Sequence, residues 1–220
     1  GIFMVGRLAA AVLLLACAPA LAQKAPSDGP PNLFDVPEDQ IESVQADGIP
    51  DGDIVRLGDL AILLGESPLN DIMATVGGRV VHAGDAASSV SSICFHIDGA
   101  DADTRLWLTA GEISGGSIDG VTLARLPAAT TTTAGCPALK PTYTPIHLPG
   151  DLKPGEPDGA LHTRLGRASY DKNGVIGFQR TLDLGVPQSR GGPCDLSQWV
   201  WAKVEREAVA AVSIKRISVC

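Results

Sequence analysis

The sequence predicts an α+β fold of two tandem units, each with a short helix packed on an antiparallel sheet. Three observations carry that expectation. Strand-like runs come in two sets of three, separated by Gly- and Asp-containing turns. Each set follows a short segment that a glycine terminates. The layout of "LLGESPLNDIMATVGG" (Leu63 to Gly78) also returns in "LKPGEPDGALHTRLG" (Leu152 to Gly166). A chain of 220 residues holds one large domain or two small ones. The expected division is a signal peptide at 1–22, an acidic flexible leader at 23–52, a first α+β unit at 53–139 and a second at 140–220.

The first segment reads as an export signal. "MVGRLAAAVLLLACAPALAQ" has one basic residue, Arg7, an apolar run from Leu8 to Ala16, and the small-x-small site Ala20-Leu21-Ala22. The apolar run is shorter than the roughly 20 residues a bilayer span needs. Cleavage after Ala22 leaves Gln23 as the first mature residue and is the preferred reading. The alternative is lipidation: Leu14-Leu15-Ala16-Cys17 resembles a bacterial lipoprotein signal, with Cys17 as the modified residue. A membrane association is expected only in that case. The leader comes next. Ser27 to Asp53 holds eight carboxylates and no Lys or Arg, with Pro26, Pro30 and Pro31 nearby. That composition predicts a solvated segment, at least to about Asp39. The net charge of −8, without a Lys/Arg cluster, excludes a nucleic-acid partner.

The elements follow in order. "DIVRLGDLAILLGE" (Asp53 to Glu66) holds an apolar run that periodicity leaves open between helix and buried strand. Ser67 is a good N-cap and Pro68 suits a first helical turn. Leu69, Ile72, Met73 and Val76 then form one apolar stripe, and Gly77 stops the helix. Strands are predicted at Ser91 to Ile97, Thr104 to Ala110 and Val121 to Leu126. Pro127 to Pro149, with threonines at Thr130 to Thr133, is a connector. Pro157 starts a second helix with Leu161 and Leu165 on one face, and Gly166 ends it. Strands are predicted again at Gly174 to Arg180, Trp199 to Glu205 and Ala211 to Val219. Ile93-x-Phe95 lines up with Ile176-x-Phe178.

Cysteine usage fits export. With Cys17 removed or lipidated, Cys94, Cys136, Cys194 and Cys220 remain, an even number that reads as two disulfides. Three pairings are open. The near-neighbour one, Cys94 with Cys136 and Cys194 with Cys220, keeps one bridge in each half. No C-x-x-C or Cys/His pair at ligand spacing occurs, so no metal and no cofactor is expected.

Gly65-Glu66-Ser67 with Val76-Gly77, Pro154-Gly155-Glu156 with Leu165-Gly166, and the four cysteines together resemble the tandem-repeat fold of the beta-lactamase inhibitor protein. A single unit resembles the small lipoprotein of the outer-membrane barrel-assembly machinery. The likeness covers about Asp53 to Cys220. The helix between the glycines is one residue shorter in the second half, and Cys94 falls where the other strand has Gly177. The resemblance implies a non-enzymatic exported module that presents a sheet to a protein partner. No inhibitory contact residue carries over.

Strand alternation points to the same face. In "WVWAKVE", Val200, Ala202 and Val204 share one side, while Trp199, Trp201, Lys203 and Glu205 share the other. In the first half Leu106 and Leu108 face in, while Arg105, Trp107 and Thr109 face out, with His96 on the neighbouring strand. Trp107, Trp199, Trp201, Arg105 and Lys203 are therefore the candidate binding residues, because Trp and Arg are enriched at interface hot spots. The competing expectation is that the connector or the other half covers these rings as ordinary core.

Catalytic patterns are weak. No G-x-S-x-G elbow occurs, and "GEISGGSIDG" (Gly111 to Gly120) reads as a hairpin loop lacking a phosphate-loop Lys. His82, His96, His147 and His162 are scattered. Glu66 and Glu156 suit helix N-termini. The expected function is a periplasmic or secreted, non-enzymatic binding or adaptor module for an envelope protein. The alternatives are a small periplasmic hydrolase or enzyme accessory domain with a site between the units, or a structural lipoprotein tethered through Cys17.

Overall fold

The computed structural model describes residues 32–84, 89–98, 103–127, 135–185 and 194–219. The expected signal peptide, Cys17 and the leader before Asn32 lie outside the described residues. The stretch that periodicity left open is a hairpin: β1 (Ile54–Leu57) pairs antiparallel with β2 (Leu60–Leu63). Gly58 makes its turn at φ 58°, and a Cβ there would lie 2.4 Å from the carbonyl oxygen of Thr142. Next comes α1 (Leu69–Val76), which buries Leu69, Ile72 and Val76 and ends on Gly77 at φ 97°. Ser67 does not cap it. Pro68 takes the N-cap position, and Ser67 Oγ accepts the backbone N–H of Leu63 instead.

The strands β3 (Val81–Ala83), β4 (Val90–Ile97), β5 (Asp103–Gly111) and β6 (Gly120–Leu126) follow. The connector carries β7 (Ile146–His147), which pairs with β1. Then α2 (Asp158–Leu165) stops at Gly166, φ 89°, and leads into β8 (Tyr170–Lys172), β9 (Val175–Asp183), β10 (Asp195–Glu205) and β11 (Ala208–Val219). The fold is therefore α+β, with two α-helices and antiparallel sheets among the described residues. One eight-stranded sheet runs in the order β3-β4-β5-β6-β11-β10-β9-β8. The last strand of each set meets the other at the centre, pairing Ala124 with Ala211 and Thr122 with Ser213.

One backbone joint occurs twice. The Gly65 N–H donates to the Ile118 carbonyl, and the Ile118 N–H donates to the Ser67 carbonyl. Likewise the Gly155 N–H donates to Val209, and the Val209 N–H donates to Glu156. Each glycine-glutamate stretch thus fastens the approach to a helix onto the approach to, or start of, a central strand.

The inner face of the sheet lies against both helices and the β1-β2 hairpin in one buried cluster, which includes Phe95, Leu108, Phe178 and Val200. Each such side chain contributes about 1.5–3 kcal/mol by leaving water. Leu139, at the expected unit boundary, belongs to the same cluster. Asp53 anchors the hairpin to the sheet. Its carboxylate accepts from Arg216 at 2.8 Å and from Gln198 Nε2 at 2.9 Å. Burial still pushes the Asp53 carboxyl above its ordinary value, against the pull of Arg216 and Gln198.

The leader departs from the solvated segment expected at 23–52. Ala46 and Ile49 are core residues. The Ala46 N–H donates to Gln179, the Gly48 N–H donates to Leu165, and Gln45 Oε1 accepts from the Thr181 N–H. The reason is an edge left open. β8 pairs with β9 only as far as Gly177, and residues 45–46 occupy the edge beyond it. The opposite margin is treated alike. β3 pairs with β4 only up to Ser92, and further along the His96 N–H donates to Pro137 while His96 accepts from the Leu139 N–H.

Candidate functional site

Side chains turned away from the helices form the outer face. Directly paired residues share a face. One row therefore crosses seven of the eight strands, from β8 to β4: Tyr170, Gly177, Trp201, Ser213, Thr122, Trp107 and Cys94. At its centre Thr122 Oγ1 and Ser213 Oγ are hydrogen-bonded at 2.9 Å. Trp201 lies down over Gly177, where a Cβ would meet its Cζ3 at 2.1 Å. Tyr170 meets the Trp201 ring edge-on, with centroids 6.2 Å apart. Trp199 stands in the adjoining row between Gln179 and Lys215. Lys203 occupies the row on the other side and donates to the Asn173 carbonyl at 3.4 Å. Trp199, Trp201 and Lys203 are each half-buried, so their outer surfaces face solvent.

Two candidates differ from the expectation of an exposed platform. Trp107 and Arg105 do lie on the outer face, but they are only 2% and 7% exposed. Cys136, bonded to Cys94, packs over Trp107, and Leu33 and Phe34 pack against the same group. This cover comes from residues remote in sequence, which strand alternation cannot register. Arg105 is held by Asp103: Nε donates to Oδ2 at 3.0 Å. His96 Nε2 approaches the other oxygen of Asp103 at 3.1 Å, and His96 Nδ1 lies 3.2 Å from Asp98. His96 thus stands between two carboxylates, those of Asp98 and Asp103.

The disulfide Cys94–Cys136 is formed, with Cα atoms 4.7 Å apart. Cys194 is disulfide-bonded as well. Cys220, its expected partner, lies outside the described residues.

An open hollow of about 450 Å³ lies beside β1 and β7. His147 and Asp151 line it but stand 3.7 Å apart, beyond a hydrogen bond, and no Ser, Thr or Cys is among its lining residues. The other histidines serve locally. His82 meets Ser91 Oγ at 2.8 Å, and His162 packs edge-on against Phe178. Glu156 pairs with Arg164. Among the described residues no three His, Cys, Asp or Glu side chains come together to hold a metal ion.

Sequence reasoning missed Tyr170, Gly177 and Lys215 as members of the face. Gly177 carried a signal, because a lone glycine inside a strand marks a close approach. Tyr170 and Lys215 had none, since only strand pairing brings them alongside. No protein-family model matches the chain, and neither a curated protein nor a solved structure matches it.

Proposed function

We propose that this protein is an exported, non-enzymatic binding or adaptor module of two tandem α+β units that offers the outer face of its sheet to an envelope protein. The observation that carries the reading is the half-buried trio Trp199, Trp201 and Lys203 on a regular sheet face remote from the core. Rigid strands hold these rings at low entropic cost, which suits recognition by aromatic anchors. The two-unit reading is supported by the recurring glycine joint, the paired glycine stops and the matching burial of Phe95 and Phe178. The likeness to the beta-lactamase-inhibitor-protein layout belongs to the same proposal and rests on those recurrences. Export rests on the signal-like first residues, with the disulfide in accord. The rival hydrolase reading has only the separated His147 and Asp151 pair behind it.

The test is co-purification from the cell envelope, comparing wild type with Trp199→Ala/Trp201→Ala. A partner captured by wild type and lost from the variant is expected. Identical partners for both would sink the reading. Lys203→Glu, a substitution at a half-buried position, repeats the comparison if the double variant fails to fold.

A further inference from the structure

The outer face is not bare. Leu33 and Phe34 pack against a group formed by Cys94, Trp107, Ala124, Cys136 and Ala211. Further along the chain, Glu42 sits toward the opposite side of the same face. Its carbonyl accepts from Gln179 Nε2 at 2.9 Å, and its N–H donates to Ser169 at 2.8 Å. Gln179 is the residue paired with Trp199. The chain from Phe34, beside Ala211 of β11, to Glu42, beside Gln179 of β9, therefore crosses β10, the strand that carries both Trp199 and Trp201. It crosses as a ligand would and not as a strand. Among the described residues, the backbone hydrogen bonds between Phe34 and Ile41 are internal, Gln40 to Pro37 and Ile41 to Glu38. Asp35, Glu38 and Asp39 are exposed along it, and Lys172, Lys203 and Lys215 belong to the same outer face of the sheet. Among the described residues, the buried indole N–H of Trp107 also has no acceptor. An unmet donor of that kind makes a cover less favourable than a fully paired one.

We propose that residues 33–41 are a resident self-ligand of the outer face. The partner's docking segment has the same chemistry, an acidic stretch with two adjacent apolar anchors, one of them aromatic, ahead of a single helical turn like that at Glu38–Gln40, and it binds by displacing this strap. The inference rests on the sheet-face reading of function and adds to it the kind of segment the face accepts. Occupation by the strap lowers the apparent affinity for any competitor in proportion to the fraction of time the face is covered.

The experiment uses the full chain and a synthetic peptide of residues 32–42. Leu33→Asp/Phe34→Asp frees the face. The variant is expected to bind the peptide at least about tenfold more tightly than wild type, measured by calorimetry and tryptophan emission. Raising the salt from low to high should weaken binding several-fold, and a peptide carrying the same two substitutions should not bind. A folded variant that ignores the peptide, or equal binding by variant and wild type, overturns the proposal. If the variant does not fold, wild type is used with excess peptide. Cleavage by a glutamate-specific protease at Glu38 should then accelerate several-fold, and an unchanged rate overturns the proposal. If the peptide fails while Trp199→Ala/Trp201→Ala still loses its envelope partner, the sheet-face reading stands and the self-ligand falls. Failure of both removes the face as a binding surface.

Discussion

Gly177 governs the position of an indole. Trp201 lies flat because the residue opposite has no side chain, and a methyl group there would fall 2.1 Å from its Cζ3. Gly177→Ala should force the ring up and cost about 1–3 kcal/mol, as overpacking does. The checks are a lowered melting temperature and an altered near-ultraviolet dichroism band. An unchanged melt would mean that the ring does not lie there. Cys94 holds the corresponding place opposite Trp107, so the two tryptophans have different neighbours. Alternation sorted the sides of these strands correctly: Val200 and Ala202 point into the core while Trp199 and Trp201 do not. It was silent on cover, because the residues over Trp107 belong to segments with no sequence relation to β5.

Among elements, the segment at Cys136 does the most with the least regular structure. It lies along β4 through His96 and closes over Trp107, and the bridge to Cys94 spans a sequence separation of 42. On the chain-entropy model such a crosslink is worth about 4 kcal/mol, less any cost of relaxation. Replacing both cysteines by serine should lower stability by up to about that amount and red-shift part of the tryptophan emission as Trp107 meets water. Denaturant melts followed by fluorescence measure both. Emission that stays blue in the folded variant would show that Leu33 and Phe34 alone suffice as cover. The principal strands and both glycine stops were legible because their signals are local: alternation, a turn residue, a residue able to take positive φ. β3, β7 and β8 are two or three residues long and have no periodicity to read. The leader misled through its charge, although Val44, Ala46 and Ile49 were the signal that part of it is buried.

For the whole molecule, two recurring patterns in the sequence became one sheet with one inner core. Self-similarity along a chain says nothing about whether copies lie apart or share strands. Sharing is decided by the edge that each set leaves open, here β6 and β11. Because a single cluster spans both halves, unfolding should be one cooperative event. Backbone dichroism and tryptophan fluorescence are expected to melt at one midpoint, and two separated midpoints would refute a shared core.

The strand order also sets a timetable. β11 comes last among the described strands, yet it stands in the middle, between β6 and β10. While the chain is being made or threaded, β3 to β6 can form first, but β6 must wait with its hydrogen-bonding groups unmet until the final stretch emerges. Closure then joins contacts far apart in sequence, which slows folding. A nascent chain stalled before β11 is a sheet with a raw seam, open to any passing strand.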